Sequence, residues 1–403
     1  YYLYGGLNNM MRNQEHNVFL SPTTYAFSNL GGSVFIDSRA SKQRKQLEIS
    51  YAASNRSYDN RLMISYGTGL LKGGWSFAVS GSRRWANEGY VKGTFYDGWS
   101  YFASAEKMFN NKHFLSLTTM GSPSQFGRGG PATKEMFGLA GTHYYNPYWG
   151  FQNGEVRNAS VNKSYQPLTV LSYEWRVNSK SVFNAAVSYI TGKGKLSGID
   201  WYNAPDPRPD YYRNLPSYYE ATAPDVASQI ENLLSSNEAM RQINWDNLYQ
   251  ANYFSYDSVI NANGIAGNTV VGKRARYILA DRVTENKKLG LNVFYNSTLS
   301  DAVQLTAGLS HQNQQSEYYL EVKDLLGAEF FVDWNQFAER DFPTNPDAYQ
   351  NDLNNPNRLL YEGDKYGYDY KAFVKTTSAW GQLQFKSTHL DGFAALQLST
   401  TKF

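Results

Sequence analysis

The stretch Leu30–Tyr51, LGGSVFIDSRASKQRKQLEISY, contains a boundary between two kinds of structure. The pair Gly31-Gly32 is followed by apolar Val34 and Ile36 at alternating positions, as in a short strand that leaves a tight turn. A basic, polar segment covers residues 39–46. A second apolar and polar alternation then begins with Leu47, Ile49, Tyr51 and Ala53. The stretch therefore predicts that a compact unit ends here and that an extended sheet begins.

The segments Pro22–Tyr25 and Asn29–Asp37 together resemble the closing strand of the plug domain in TonB-dependent outer-membrane receptors. The polar segment after them resembles the hinge that leads into the barrel of those receptors. Within the family, the chain most resembles the nutrient-importing subgroup with a carboxypeptidase-regulatory-like N-terminus. The resemblance implies the C-terminal part of a plug over 1–38, a hinge over 39–46 and barrel strands over 47–403. It also implies a location in the cell outer membrane.

The composition agrees with a barrel that crosses a membrane on strands. The chain has 403 residues, of which 41% are hydrophobic and 18% charged, and its mean hydropathy is −0.56. No apolar run reaches the roughly 18 residues of a membrane-spanning helix. Tyr, Phe and Trp make up 16% of the chain, which suits the aromatic girdles of a membrane barrel. An aromatic-rich soluble β-sandwich is the alternative.

The same composition argues against several classes of function. The net charge of +3 is too small to indicate a nucleic-acid partner. The absence of cysteine excludes disulfides and thiolate metal sites. The chain contains no nucleophile elbow, HExxH motif or P-loop, and its five histidines are dispersed. We therefore expect no enzymatic activity, no cofactor and no metal site.

Alternating apolar positions predict eleven strands of about ten residues, and thus an all-β, antiparallel transmembrane β-barrel. In chain order, the positions on one face of these strands are Leu47, Ile49 and Tyr51; Leu62, Ile64, Tyr66 and Thr68; Trp75, Phe77 and Val79; Trp99, Tyr101, Ala103 and Ala105; Leu115 and Leu117; Leu171, Tyr173 and Trp175; Phe183, Ala185, Val187 and Tyr189; Leu289, Leu291, Val293 and Tyr295; Val303, Leu305, Ala307 and Leu309; Gly381, Leu383 and Phe385; and Leu396 and Leu398.

The connections between these strands alternate between tight and long. Tight turns are predicted at 71–74, 110–112, 178–180, 300–302 and 389–392. Long extracellular loops are predicted at 122–166, 193–284 and 315–377. An odd strand count would leave the last strand ending on the wrong side of the membrane, because bacterial barrels have an even number of strands. We therefore expect the chain to hold about half of a 22-stranded barrel, together with a remnant of its plug.

Within the largest loop, the segment 198–212 is the most distinctive, because three prolines hold aromatic and acidic side chains in an extended chain. The segment 144–149 has a similar composition. The candidate ligand-binding residues are Trp201, Tyr202, Asp206, Asp210, Tyr211, Tyr212, Tyr148 and Trp149. The alternative is a rigid loop that folds over the barrel mouth without a ligand. Helical spacing predicts a helical insertion at 221–250, and Gly127–Gly130 is predicted to be a flexible loop tip.

The sequence leaves two main functions open; a third, a surface hydrolase, needs paired acids in a cleft, which the sequence does not place. The resemblance implies a receptor that binds an extracellular ligand and imports it when the TonB energy-transducing complex moves the plug. It also implies contact with outer-membrane lipid, and a surface lipoprotein or other outer-membrane subunits on the extracellular loops. The alternative is a plugged barrel that serves as a structural or assembly subunit without transport. Aromatic and acidic loops are compatible with glycans, peptides or metal chelates as the ligand.

Overall fold

The structure is a computed structural model that describes residues 5–27 and 30–403. Residues 1–4 of the predicted plug range, and Asn29 of the plug motif with its neighbour at 28, lie outside the described residues. The strands are β1 (Gln14–Asn17), β2 (Ser33–Ile36), β3 (Gln46–Ala53), β4 (Asn60–Gly67), β5 (Trp75–Ala86), β6 (Tyr96–Phe109), β7 (His113–Gly121), β8 (Ser124–Gly127), β9 (Trp149–Gln152), β10 (Glu155–Asn158), β11 (Val161–Tyr165), β12 (Leu168–Asn178), β13 (Ser181–Trp201), β14 (Tyr256–Ile260), β15 (Thr269–Lys273), β16 (Tyr277–Ser300), β17 (Val303–Asp324), β18 (Phe331–Val332), β19 (Leu359–Leu360), β20 (Lys365–Lys386) and β21 (Asp391–Lys402).

The α-helices are α1 (Lys134–Ala140), α2 (Pro216–Tyr219), α3 (Pro224–Ser236), α4 (Trp245–Tyr253) and α5 (Gln336–Asp341). Short 3-10 helices cover Ala40–Lys42, Tyr212–Asn214, Glu238–Arg241, Ala262–Gly264 and Pro346–Tyr349. Among the described residues, no helix is both long and apolar enough to cross a membrane. The predicted helical insertion at 221–250 corresponds to α3, the 3-10 turn after it and the first part of α4.

Thirteen of the strands form one large antiparallel sheet. β7 and β8 both pair with β6, so together they form one interrupted pass of the chain. β11 and β12 both pair with β13 and form a second interrupted pass. The sheet therefore consists of eleven passes in chain order, from β3 at one edge to β21 at the other. Five short connections join the passes at one end of the sheet, which we call the turn end, and the long connections lie at the opposite loop end. The predicted strand count and antiparallel fold are confirmed.

The two faces of the sheet differ in composition, as expected for a membrane barrel. The predicted apolar face is largely exposed, since it includes Leu47, Ile49, Tyr51, Leu62, Ile64, Tyr66, Trp75, Phe77, Val79, Trp99, Leu115, Leu117, Leu171, Trp175, Val187, Tyr189, Leu289, Leu291, Leu309, Leu383, Phe385, Leu396 and Leu398. The opposite face carries small polar side chains that are buried, among them Ser65, Ser80, Ser82, Ser100, Ser104, Ser116 and Thr118. The exposed face has the composition of a lipid-facing surface, and the small residues on the other face leave room for the segment that precedes β3.

The described residues of the range 5–38, which we call the plug segment, lie against the inner face of this sheet. Its strands β1 and β2 form an antiparallel pair. Near its start, Asn9 Nδ2 donates a 2.7 Å hydrogen bond to Ser65 Oγ on β4. Near its middle, the Thr24 carbonyl accepts from Asn296 Nδ2 on β16 at 3.1 Å, and Gln382 Nε2 on β20 donates to the Thr23 carbonyl at 3.4 Å. One short segment touches passes that far apart only because the sheet curves around it.

The plug segment also contributes to a buried apolar cluster. Leu7, Met10 and Met11 pack against the inner side chains Ala78, Phe102 and Met120 of β5, β6 and β7. The approach is close at Gly6, where a Cβ atom would lie 2.0 Å from Ser100 Oγ. This position therefore requires glycine. The hinge predicted at 39–46 contains the 3-10 turn Ala40–Lys42 and leads directly into β3.

Four passes are much longer than a membrane requires. β13, β16, β17 and β20 have 21, 24, 22 and 22 residues, whereas about 9–11 tilted residues cross a bilayer. Their loop-end halves carry charged outer side chains, such as the pair Lys193–Glu285 with 2.8 Å between Nζ and Oε2. These halves therefore extend beyond the lipid-facing band, into the ranges predicted as loops 193–284 and 315–377. The sequence does not reveal these extensions of the strands, because a strand with polar residues on both faces lacks the apolar alternation.

The loop-end part of β16 is covered on both faces by the long connections. Ile278 and Ala280 pack with Phe331 and Leu360 of the β18–β19 pair. Tyr277 and Leu279 point the other way and pack with Trp245 and Leu248 of α4. The three long connections, 128–160, 202–276 and 325–364, therefore fold onto the extended strands as structured layers.

Candidate ligand cavity at the loop end of the barrel

A cavity of about 650 Å³ lies at the loop end of β13, β16, β17 and β20. Its wall combines the ends of these strands with parts of the first two long connections. The residues around it are Arg128, Pro147, Tyr148, Ala159, Ser160, Leu196, Ser197, Gly198, Ile199, Asp200, Trp201, Arg208, Ile243, Ala280, Arg282, Leu320, Tyr366 and Tyr368. Its volume is in the range of pockets that hold small ligands.

The cavity opens where β11 separates from β13. β11 pairs with β13 as far as the partners Asn162 and Leu196, while β13 continues to Trp201 paired with β16 alone. Just beyond the last pair, Ser197 Oγ donates to the Ala159 carbonyl at 2.7 Å and accepts from the Val161 amide at 2.8 Å. The serine hydroxyl thus replaces part of the strand ladder and turns the chain at Ala159 away from β13.

The charged groups of the wall are unevenly paired. Asp200 Oδ2 accepts from the Tyr366 hydroxyl at 2.7 Å, and its Oδ1 accepts from the Trp201 amide at 2.8 Å. Arg208 is paired with Asp206, with 2.5 Å between Nη2 and Oδ2. Within residues 5–27 and 30–403, the guanidinium groups of Arg128 and Arg282 have no ion-pair or hydrogen-bond partner. Two arginines without an ionic partner therefore line the cavity together with aromatic residues, a combination that suits an anionic ligand.

Of the eight predicted site residues, Tyr148 and Trp201 lie in the cavity wall. Tyr202 follows Trp201 directly but points into the opposite layer, where it is 2% exposed. Its ring makes an edge contact with Phe331 at 6.5 Å between centroids, and the Arg274 guanidinium lies 4.3 Å from its centroid. Its hydroxyl donates to Glu339. Tyr202 therefore belongs to the packing between the second and third long connections.

The other predicted residues lie outside the cavity wall. Asp206 holds Arg208 in place, and Tyr211 and Tyr212 make an edge contact with 4.7 Å between ring centroids. Burial raises the pKa of the Asp210 carboxyl, although nearby Arg208 opposes the shift. Trp149 is buried in β9 and lines a second cavity of about 420 Å³ on the other side of the first long connection.

Four charged or aromatic residues of the wall lie outside the two segments that the sequence singled out. Arg128 lies in the predicted flexible tip Gly127–Gly130, yet its amide donates to the Ser160 carbonyl at 2.8 Å and its carbonyl accepts from Asn146 and Asn158. Both asparagines are themselves buried, so the backbone of the arginine is held in a fixed position. Arg282, Tyr366 and Tyr368 lie on strand ends within the predicted loops, where no apolar alternation marked them.

No resident metal or cofactor site stands out among the described residues. In residues 5–27 and 30–403, no group of three or more His, Asp or Glu side chains is arranged to share a metal ion. The expectation that the protein has no resident cofactor stays a prediction.

A second feature with functional consequences connects the plug segment to the barrel wall. Arg39 Nη2 lies 2.6 Å from Asp37 Oδ2, and Arg39 Nη1 lies 2.5 Å from Glu174 Oε2 on β12. Arg176 approaches the other oxygen of the same carboxylate at 2.9 Å. A cavity of about 430 Å³ beside these groups separates β2 from β12, β13 and β16. The hinge is therefore anchored to the wall by charged hydrogen bonds rather than by close apolar packing alone.

The fold is similar to that of solved outer-membrane receptors. The ferric citrate transporter FecA, in its unliganded form, matches 95% of this chain with a TM-score of 0.54 and 7% identity. The closed form of the ferric-catecholate import receptor Fiu from E. coli K12 matches 94% of this chain with a TM-score of 0.52 and 11% identity. The copper transporter OprC matches 96% of this chain with a TM-score of 0.51 and 10% identity. The chain covers 42%, 45% and 42% of those proteins, so it spans less than half of their length.

No protein-family model matches the sequence, and no curated protein is significantly similar to it. At identities of this size, the structural similarity establishes the fold alone. The chain has the fold of the plugged, antiparallel β-barrels of TonB-dependent outer-membrane receptors, as part of such a barrel together with part of its plug.

Proposed function

We propose that the chain forms part of an outer-membrane receptor that binds an extracellular ligand at the loop end and imports it past a plug. The observation that carries the proposal is the course of the plug segment, which contacts the inner face from Ser65 on β4 to Gln382 on β20. A segment inside a curved sheet obstructs the path through it. A barrel built only as a scaffold has no need of a ligand-sized cavity at its outer end.

The location and partners of the protein follow from this proposal. The exposed apolar face contacts outer-membrane lipid, and the loop end faces the outside of the cell. The TonB energy-transducing complex provides the force that moves the plug, as in the family that the hinge motif resembles. A surface lipoprotein or another outer-membrane subunit contacts the long connections. The protein binds no nucleic acid and catalyses no reaction.

The ligand contacts are proposed from the cavity wall. Tyr148 and Trp201 offer ring faces, and Arg128 and Arg282 offer unpaired cationic donors. The remaining predicted residues, Tyr202, Asp206, Asp210, Tyr211, Tyr212 and Trp149, act in this proposal by holding the connections around the cavity in place. Their direct contact with a ligand stays a prediction.

One observation favours the alternative function as a structural subunit. The β14–β15 hairpin exposes Tyr256, Ile260 and Ile265, and Phe254 at the end of α4 is exposed as well. Exposed apolar groups of this kind are typical of protein interfaces. A scaffold would use such a surface for permanent assembly, whereas a receptor would need the plug to move.

A plug-accessibility experiment distinguishes the two functions. The chain contains no cysteine, so Ser38→Cys places a unique thiol beside the cavity between plug and wall. We expect maleimide labelling of this thiol in intact cells to depend on TonB, because only an energised plug exposes it. Ser258→Cys, on the exposed β14 strand, is the matched control and should label equally with and without TonB. Labelling of Ser38→Cys that is unchanged in cells without TonB would contradict the receptor and favour the scaffold.

A further inference from the structure

The free edge of β13 inside the cavity has unpaired backbone groups. Hydrogen bonds from the Tyr202 amide to the Arg276 carbonyl, and from the Thr298 amide to the Lys180 carbonyl, measure 2.9 Å each. Even-numbered residues of this pass therefore form the hydrogen-bonded pairs with β16. In an antiparallel ladder, the intervening residues direct their amide and carbonyl to the other side. At Ile199 that side is the cavity.

The chain opposite Ile199 does not satisfy these groups. The Ala159 amide, which would continue the β11 ladder, donates instead to the Tyr148 carbonyl at 2.7 Å, and its carbonyl accepts from Ser197 Oγ at 2.7 Å. The neighbouring Trp201 amide is bonded to Asp200 Oδ1. Among the described residues, the amide and carbonyl of Ile199 therefore have no hydrogen-bond partner. An unpaired strand edge of this kind is a template for another extended chain.

The charges around this edge select the kind of chain that fits. Arg282 lies on β16, the strand next to β13, and Arg128 is held on the first long connection by its backbone bonds to Ser160, Asn146 and Asn158. Both arginines line the cavity, and their guanidinium groups have no anionic partner in the part of the chain that the structure describes. The single carboxylate of the wall, Asp200, is occupied by the Tyr366 hydroxyl.

We propose that the cavity binds an acidic peptide in extended conformation, which adds as a short strand to the β13 edge at Ser197–Trp201 with its carboxylates at Arg128 and Arg282. This inference rests on the proposed receptor function and names the ligand class of its site. The five edge residues span about 16 Å at roughly 3.3 Å per residue, which accommodates four or five residues of peptide. The peptide backbone pairs with Ile199, and alternate side chains face Arg282 on one side and Trp201 on the other.

A peptide fits these groups better than the other ligand classes. A sugar or a metal chelate could stack on Tyr148 and Trp201, and an anionic chelate could meet the arginines. Neither presents an amide donor and a carbonyl acceptor at strand spacing, which is the complement of the two free groups of Ile199. The cationic and aromatic groups provide affinity for many anions, while the strand edge is specific for a backbone.

Binding of defined peptides to the full-length protein in detergent micelles tests this inference. The probe is a fluorescently labelled peptide of sequence Asp-Thr-Val-Thr-Asp with blocked ends, compared with the same peptide N-methylated at its central residue and with its Asn-for-Asp form. We expect saturable binding of the first peptide. The N-methylated form should bind about tenfold more weakly, because it lacks one backbone donor. The uncharged form should bind about 10- to 100-fold more weakly.

Two glycine variants show whether the peptide occupies this cavity. A Cβ atom at Gly198 would meet no atom within 4 Å, so Gly198→Leu adds volume to the cavity without a clash of the Cβ atom. Gly381 on β20 has equal space but shares the outer face with Leu383 and Phe385, which makes Gly381→Leu the matched control. We expect Gly198→Leu to abolish peptide binding and Gly381→Leu to leave it within about twofold. Arg282→Gln should weaken it about tenfold or more, unlike Arg340→Gln on α5.

Several outcomes would overturn the inference while leaving the receptor function intact. Equal binding of the N-methylated peptide would mean that charge alone is recognised. Retention of binding in Gly198→Leu would place the peptide elsewhere. Failure of all three peptides, combined with binding of ferric citrate that Gly198→Leu abolishes, would assign the cavity to a non-peptide anion. Failure of the receptor function itself is detected separately, by TonB-independent labelling of the plug thiol.

Discussion

Arg39 of the hinge and Glu174 of the barrel wall form an ion pair across the boundary between the two parts of the molecule, with 2.5 Å between Nη1 and Oε2. Both side chains are largely buried, and each keeps a second partner, Asp37 for the arginine and Arg176 for the glutamate. The pair therefore links the hinge, directly after the plug segment, to strand β12 of the large sheet.

Arg39→Gln is expected to loosen the plug segment. Loss of a charged hydrogen bond with partial compensation by the remaining partners corresponds to about 1–2 kcal/mol. A Ser38→Cys thiol in this background should therefore label roughly 5- to 30-fold faster. Glu174→Gln should have a similar effect, and the double variant should be less than additive because both changes remove one interaction. Arg176→Gln is the control, because its side chain is half exposed, and an equal effect there would contradict a specific role for Arg39.

Asn252→Ala is expected to destabilise the second long connection severely. The Asn252 side chain is completely buried, donates to the carbonyls of Tyr277, Leu325 and Leu326, and accepts from the amides of Arg276 and Tyr277. Alanine would leave these backbone groups unpaired in a buried site, at a cost of at least about 3 kcal/mol. Hydrogen exchange of the 276 and 277 amides should accelerate by about 100-fold or more.

Asn247→Ala on the same helix provides the comparison for that variant. Asn247 is exposed, so its side chain is expected to contribute less than about 0.5 kcal/mol. Similar exchange rates in the two alanine variants would show that the α4 helix, rather than the buried amide, holds the connection to the strands.

Gly150→Ala is expected to separate the β9–β10 hairpin from the helical insertion. A Cβ atom at residue 150 would lie 1.9 Å from the Ile243 carbonyl oxygen, where the Ile243 amide also donates to the Trp149 carbonyl at 2.9 Å. Because a backbone atom cannot move aside as a side chain can, we expect a loss of about 2 kcal/mol or more. Gly138→Ala, in α1 with open space around it, should stabilise by up to about 1 kcal/mol. The rate of proteolysis of the first long connection measures the change in stability of both variants. Faster cleavage of Gly138→Ala would contradict the steric argument.

The packing of the 206–214 segment is expected to weaken as the pH rises above the usual range of aspartate. Burial raises the pKa of Asp210 in the packed state, so the packed segment holds the proton more tightly than the open one. Its contribution is fully present below the ordinary aspartate pKa and is lost as the pH rises through the raised value. Hydrogen exchange of the segment, corrected for the intrinsic effect of pH, should show this loss, and Asp210→Asn should abolish it. Protection of the segment that increases with pH in the wild type would contradict the predicted direction of the pH dependence.

The sequence alone was sufficient for the membrane-facing part of the fold. Leu289, Leu291 and Val293 repeat at every second position because one strand face meets lipid and the other meets the plug. The two faces therefore carry different residue types, which the sequence shows directly. The tight turns also have local signals, as at Asn110, whose positive φ suits a residue that tolerates the left-handed region. The pattern of apolar residues and turns therefore determines the number of passes, eleven, by itself.

The candidate site was decided by tertiary structure. Trp201 and Tyr202 are adjacent aromatics in the sequence, but the extension of β13 through residue 201 directs one ring to the cavity and the other into a buried layer. The cavity itself assembles Arg128, Arg282 and Tyr366 from three distant parts of the chain. Beyond the bilayer both faces of a strand are polar or covered by loops, so no periodic pattern distinguishes strand from loop, and only the packing of the long connections determines where each side chain points.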